Sequence, residues 1–200
     1  MNFSKSESKE SLFNGITAFN ATLETSAHYE EKILSIEILD TKMGELLVMA
    51  NEEGIAMIKF ATEKKLLLKV LDFAKKLSSK IIFRENMHIS ILKKEMTLYN
   101  EGNLKHFSVS LFLNGTDFQK SVWQSLSKIP FGETWSYKKQ AEHMGDAKKA
   151  RAVAMANSKN PICIVIPCHR VIRNDGFLSG YSGGVENKQK LLALEKAVLL

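Results

Sequence analysis

Between residues 33 and 61 the chain repeats short apolar runs separated by polar breaks: ILSIEIL, GELLVMA and IAMIKFA. Lys42-Met43-Gly44 and Glu52-Glu53-Gly54 supply the turn residues, so the pattern predicts a meander of three antiparallel strands. The period then changes. In EKKLLLKVLDFAKKLS (63–78), Leu67, Val70, Leu71, Phe73 and Ala74 recur at helical spacing. A strand at IIFR, a helix over 88–100 and a strand at 106–112 (HFSVSLF) complete a first α/β unit. Its Met and Leu stripes read as core.

Leu113-Asn114-Gly115-Thr116 reads as a boundary. Beyond it, Thr116 or Asp117 caps a helix over FQKSVWQSLSKI, with Phe118, Val122, Trp123 and Leu126 on one face. Pro130-Phe131-Gly132 ends that helix. Ser136 caps a second, YKKQAEHM; Gly145 supplies a tight turn, and KKARAVAMANS follows as a third. Helix, glycine turn, helix is a helix-turn-helix pattern. ICIVI (162–166) reads as a buried strand that must stop at Pro167, which cannot extend a ladder. A terminal helix spans 185–198. The chain is thus expected to be α+β: a flexible extension over 1–31 (a mobile lead-in or a loosely docked helix), an α/β domain over 32–113 and a mainly helical domain over 114–200.

Charge sharpens this division. The net charge is +6, yet the first 116 residues hold 15 basic and 15 acidic side chains. The whole excess lies from Asp117 onward, which points that half toward a polyanion such as nucleic acid. Lys148, Lys149, Arg151 and Lys159 cluster with no acid between them, beside Ala150, Ala152, Ala154 and Ala156. Small side chains make this helix slim enough to press against a minor groove only ~6 Å wide. No apolar run approaches a membrane span. Residues 1–31 lack the basic start and apolar core of a secretory signal. The histidines and the two cysteines have no zinc-ligand spacing, so no structural metal is expected. Cys163 and Cys168 sit an odd number apart in a strand-like run and so face opposite ways; a disulfide is not expected, and a reducing, cytoplasmic setting fits.

The candidate chemistry is Pro167-Cys168-His169-Arg170. Cys163 reads as an inert core thiol. Cys168 stands where the strand stops, with His169, Arg170 and Arg173 expected to favour its thiolate. In extended chain His169 points away from Cys168, so a bridging water is the natural relay, and the imidazole needs a carboxylate to fix its tautomer. The terminal helix offers Glu186 and Glu195. Asn174-Asp175-Gly176 reads as a tight turn, and Gly180, Gly183 and Gly184 allow a loop to approach a planar group closely.

GTDFQKSVWQSL, IPFGETWSYKKQA, ARAVAMANSKNP, IVIPCHRVI, GYSGG and KLLALE, in this order, resemble the O6-alkylguanine-DNA alkyltransferases. The resemblance covers about residues 33–197. It implies a ribonuclease-H-like N-terminal domain, and a helical domain in which Cys168 takes the alkyl group from O6 of guanine, once and irreversibly. It leaves O4-alkylthymine open as a substrate. By the same matching, Glu195 rather than Glu186 completes the relay with His169 and a water. Tyr137 helps rotate the nucleotide out, Arg151 fills the vacated stack, and Asn160 is a hinge. Lys148, Lys149, Ala150 and Ala154 would face the DNA. Cys168, Val171, Tyr181, Ser182, Gly183 and Lys188 would surround the extruded base. The implied partner is double-stranded DNA bearing O6-alkylguanine, met by a monomer that clusters along DNA, at the nucleoid of a prokaryote or in a nucleus. Ala147 and Cys163 stand where prolines are common in the family, and the second of these prolines lines the alkyl pocket. Two rivals make different predictions: a regulator without chemistry would not need Cys168, and a cysteine hydrolase would need an oxyanion hole and many turnovers.

Overall fold

The computed structural model describes residues 5–24, 32–173, 175, 178 and 180–197. The predicted meander is present as β1 (Lys32–Thr41), β2 (Gly44–Ala50) and β3 (Ile55–Phe60), joined antiparallel. Helix α2 (Leu66–Lys76) leads to β4 (Ser79–Phe83), which pairs parallel to β1 and gives the order β3-β2-β1-β4. Helix α3 (Met87–Asn100) starts on Asn86, whose side chain accepts from the Ile89 amide at 3.0 Å.

Side chains alternate across the sheet, so its two faces enter different cores. Leu47 and Met49 of β2 pack with Val70 and Phe73 of α2. Leu46 and Val48 face the other way, into a core with α3 and the whole second half of the chain.

The N-terminal segment takes the second of the two forms expected for it. Lys5–Glu24 forms a helix, α1, with Leu12 and Ile16 buried on the α2 face of the sheet. Asn20 donates to the Ile81 carbonyl at 2.7 Å and accepts from the Ile81 amide at 3.0 Å. Those are outward-facing groups of edge strand β4, and an edge strand needs such cover. These residues are a docked helix rather than a free lead-in.

The expected strand at 106–112 is also absent. Apart from one bridge between Leu111 and Ile55, the segment is irregular. The Glu95 carboxylate accepts from the Ser108 amide at 2.8 Å, the Ser108 hydroxyl at 2.5 Å and the Val109 amide at 3.3 Å. A side chain thus satisfies the backbone that a ladder would otherwise have used.

The second half opens with α4 (Asp117–Leu126), started by a full capping box between Thr116 and Gln119. Val122, Trp123 and Leu126 are buried, while Phe118 stays partly exposed. Gly132 turns the chain at φ +85°, leading into β5 (Trp135–Ser136). Ser136 caps α5 (Tyr137–His143) by accepting from the Lys139 amide at 3.0 Å. Gly145, at φ +95°, makes the turn, and a 3-10 turn (Ala147–Lys149) enters α6 (Ala150–Ser158). The two helices are joined by buried amides: Asn157 Nδ2 donates to Gln140 Oε1 at 2.7 Å. A short β6 (Val171–Ile172) pairs with β5, and α7 (Val185–Leu194) closes the fold. Of the turn expected at Asn174-Asp175-Gly176, Asn174 and Gly176 lie outside the described residues.

Candidate active site

The run ICIVI is not a strand. It makes a single bridge to the free edge of β3, where Ile58 donates to the Pro161 carbonyl at 2.9 Å and accepts from the Cys163 amide at 3.2 Å. Ile164 then takes φ +71°, a left-handed conformation that a β-branched residue rarely adopts. Successive turns follow, ending in a 3-10 turn over Cys168–Arg170. Asn160 holds this path: its Oδ1 accepts from the Ile162 amide at 3.0 Å and its Nδ2 donates to the Ile166 carbonyl at 2.9 Å. A buried apolar run cannot be assigned from periodicity when one side chain supplies the backbone partners. The alternation argument about the two cysteines therefore does not apply, although both are free thiols.

The turn separates the two neighbours by purpose. Cys168 is half-buried, and its Sγ accepts from Asn160 Nδ2 at 3.1 Å. His169 is fully buried and points to the end of α7, where its Nε2 meets Glu195 Oε1 at 2.9 Å. Glu195 is 2% exposed and heavily engaged. Arg170 clamps it with Nε to Oε2 at 2.8 Å and Nη2 to Oε1 at 3.0 Å, and the Tyr99 hydroxyl donates to Oε1 at 2.7 Å. Burial alone would raise this carboxyl, but the His169 and Arg170 contacts outweigh it and hold it at about 2. The carboxylate can only accept, so His169 Nε2 carries the donating proton. Its Nδ1 is then a lone pair, buried and without a protein partner. Burial lowers the His169 pKa, against the pull of Glu195, which favours the neutral imidazole.

Arg170 and Arg173 do not serve the thiolate as expected. Arg170 is committed to Glu195 and to the Ile129 carbonyl at 2.7 Å, and exposed Arg173 pairs with Asp175 at 2.9 Å. The cations whose charge favours the thiolate are instead Lys59 and Lys188. Burial pushes the Cys168 thiol up, opposed by the Asn160 hydrogen bond and then by these two charges. Lys188 donates to the Val171 carbonyl at 2.6 Å, and burial brings its pKa down to about 8. Lys59 and Tyr99 belong to the first half of the chain, and no local pattern marks either.

The other expected residues surround this centre. Half-buried Tyr137 opens α5 close enough to Cys168 for the thiolate charge to raise its hydroxyl, after burial, which is the larger cause. Tyr181 is half-buried with its hydroxyl beside Cys163; Ser182 is exposed. Gly183 is buried so tightly that a Cβ would lie 2.3 Å from the Phe60 ring. On α6 and the turn before it, Lys148, Lys149 and Arg151 are exposed, and Ala150 and Ala154 are half-buried. Ala156 is core, its carbonyl accepting from Trp123 Nε1 at 2.9 Å. No helix among the described residues is long and apolar enough to cross a membrane.

A half-buried cysteine with a buried imidazole–carboxylate pair beside it, in a fold that also exposes a basic helix, has the chemistry of an activated thiol on a protein suited to polyanions. Comparison with known proteins narrows that class. Residues 117–197 match the family described as 6-O-methylguanine DNA methyltransferase, DNA binding domain. A methylated-DNA–protein-cysteine methyltransferase of Methanosarcina barkeri is 41% identical over 160 residues, covering 80% of this chain and 96% of that protein. The O6-methylguanine methyltransferase of Mycobacterium tuberculosis superimposes with a TM-score of 0.69 at 34% identity, covering 82% of this chain and 93% of the other. OGT of the same organism in complex with DNA gives a TM-score of 0.67 at 34% identity, covering 84% and 93%. The chain belongs to the methylated-DNA–protein-cysteine methyltransferase family.

Proposed function

We propose that this protein repairs O6-alkylguanine in double-stranded DNA by moving the alkyl group, once per molecule, onto Cys168 Sγ. The observation that carries the reading is the buried His169 Nδ1 lone pair, with Nε2 committed to Glu195 and a half-buried cysteine as the adjoining residue. The thiol proton passes through a water to Nδ1, and Glu195 stabilises the resulting imidazolium. The thiolate attacks the alkyl carbon; a C–S bond forms as the C–O6 bond breaks, and the electron pair leaves with guanine. Tyr137 donates a hydrogen bond to that departing base. Asn160, whose amide already meets the sulfur, is a hinge that steadies the thiolate. The thioether has no route back, so the protein is consumed and needs no cofactor.

A base in duplex is out of reach, so it must be extruded at a cost of a few kcal/mol. Helices α5 and α6 act as a helix-turn-helix that sets Lys148, Lys149, Ala150 and Ala154 on the minor groove, while Arg151 fills the emptied stack. The exposure and charge of Lys148, Lys149 and Arg151 support this. The extruded base is received by Cys168, Val171, Tyr181, Ser182, Gly183 and Lys188. The Val171 carbonyl already accepts from Lys188, which leaves one lone pair for a guanine amino group. The strand order β3-β2-β1-β4 supports a ribonuclease-H-like reading of residues 32–113, with 114–200 as the reactive domain. The protein acts as a monomer that clusters along DNA, wherever the cell keeps it.

The test is intact-protein mass after incubation with duplex DNA containing O6-methylguanine. A gain of one methylene, confined to Cys168 and limited to one equivalent, is expected. An unchanged mass with DNA still bound would favour a regulator, and repeated turnover would favour a hydrolase.

A further inference from the structure

The first half of the chain reaches the reactive sulfur through one buried cation. Lys59 lies on β3 between Ile58 and Phe60, both members of the core shared with the second half, and is only 6% exposed. Its Nζ donates to the Asn160 carbonyl at 2.8 Å. It also lies 3.9 Å from the Glu63 carboxylate, which Lys69 holds more closely. A buried ammonium is costly unless closely paired, because it leaves water with three donors to satisfy. One carbonyl and a shared, more distant carboxylate compensate Lys59 weakly. The same Asn160 donates to Cys168 Sγ at 3.1 Å, so an anion on that sulfur forms within the field of the ammonium.

The titratable groups whose charge acts on the sulfur come from several elements: Lys59 on β3, Tyr137 on α5, Lys188 on α7, and Cys163 and Tyr181 from the flanking loops. Of these, only the two lysines carry positive charge at rest. Lys188, at about 8, begins to lose its charge in mildly alkaline solution.

We propose that Lys59 is a positioning residue for alkyl transfer, holding Asn160 against Cys168 and supplying positive charge that stabilises the thiolate. This rests on Cys168 being the nucleophile. The first half of the chain then contributes to reactivity itself, beyond supporting the second half.

The test is the pH profile of Cys168 alkylation by iodoacetamide, read by peptide mass spectrometry on the full chain without DNA. Wild type is compared with Lys59→Arg, Lys59→Gln and Lys59→Met, with buried Cys163 as an internal control. The two neutral variants should shift the profile upward by about one pH unit, slowing alkylation near neutrality about tenfold, while arginine keeps the wild-type profile. Folded neutral variants whose profiles superimpose on wild type overturn the proposal. So does an arginine variant displaced as far as glutamine. Should the neutral variants not fold, Glu63→Gln removes the anion that offsets Lys59 and should move the profile downward; an unmoved profile again overturns it. Because no DNA is present, failure to take an alkyl group from O6-methylguanine would sink the repair reading without altering this result.

Discussion

Glu195 connects the chemistry of the site to its stability. One carboxylate receives His169, both arms of the Arg170 clamp and the Tyr99 hydroxyl, all out of water. Changing it to glutamine leaves Arg170 buried without its anion and His169 without a tautomer-fixing partner. Glu195→Gln should slow alkyl transfer by at least about a hundredfold in single-turnover assays. It should also cost about 3–5 kcal/mol in urea unfolding. The pH dependence follows from the sign of the shift. A carboxyl held at about 2 against an ordinary 4.5 stabilises the fold fully above the ordinary value and loses that contribution as pH falls toward 2. The stability gap between wild type and Glu195→Gln, followed by circular dichroism, should therefore narrow between pH 5 and pH 2. A gap that widened on acidification would contradict the assignment.

Among the elements, α4, α5 and α6 owe their arrangement to a few polar contacts inside an apolar setting. The Gln140 amide donates to the Ser125 hydroxyl at 2.9 Å and accepts from Asn157, all of it buried. Asn157→Ala would leave the Gln140 carbonyl without that donor, at about 1–3 kcal/mol by chemical denaturation. Loss of the Thr116 cap should cost about 1 kcal/mol, less because the freed amide is close to solvent. Arg151 is exposed on the outer face of α6 and contributes little to the fold. Arg151→Ala should leave stability within about 0.5 kcal/mol of wild type. If Arg151 fills the space left by an extruded base, repair of duplex should slow more than repair of the same lesion in single-stranded DNA. Equal slowing of both would remove that role.

At the scale of the molecule, the two halves are not independent. The free edge of β3 holds Pro161–Cys163, and one core runs from Leu46 and Val48 through α3 to Trp123, Val153 and Leu191. The full chain should thus unfold in one transition, and residues 114–200 expressed alone should lack protected amides around Cys168. Helix α1 is on the opposite face of the sheet. Deleting residues 1–24 exposes the apolar surface that Leu12 and Ile16 cover, at about 1.5–3 kcal/mol for each side chain. The iodoacetamide profile of Cys168 should not move. A large change in that profile would mean that α1 communicates with the site.

The sequence was enough wherever local pattern, turn and cap residues or motif order agreed with one another. The β-meander, the Ser136 cap, a cap at Thr116 or Asp117, the glycine turn before α6, and Cys168 and His169 as candidates belong there, because each depends on neighbours a few residues away or on residue type, while motif order singled out Glu195 from Glu186. Only the tertiary structure decided the rest. It turned ICIVI into a stapled loop, gave Ser108 and Val109 to Glu95 instead of a ladder, sent Arg170 to Glu195, and brought Lys59 and Tyr99 from the first half to the site. Except for the Asn160 staple, which acts within six residues, a buried polar group found its partner far along the chain. Periodicity reports which face of an element avoids water; it carries no information about which distant backbone or charge will satisfy a hydrogen bond there.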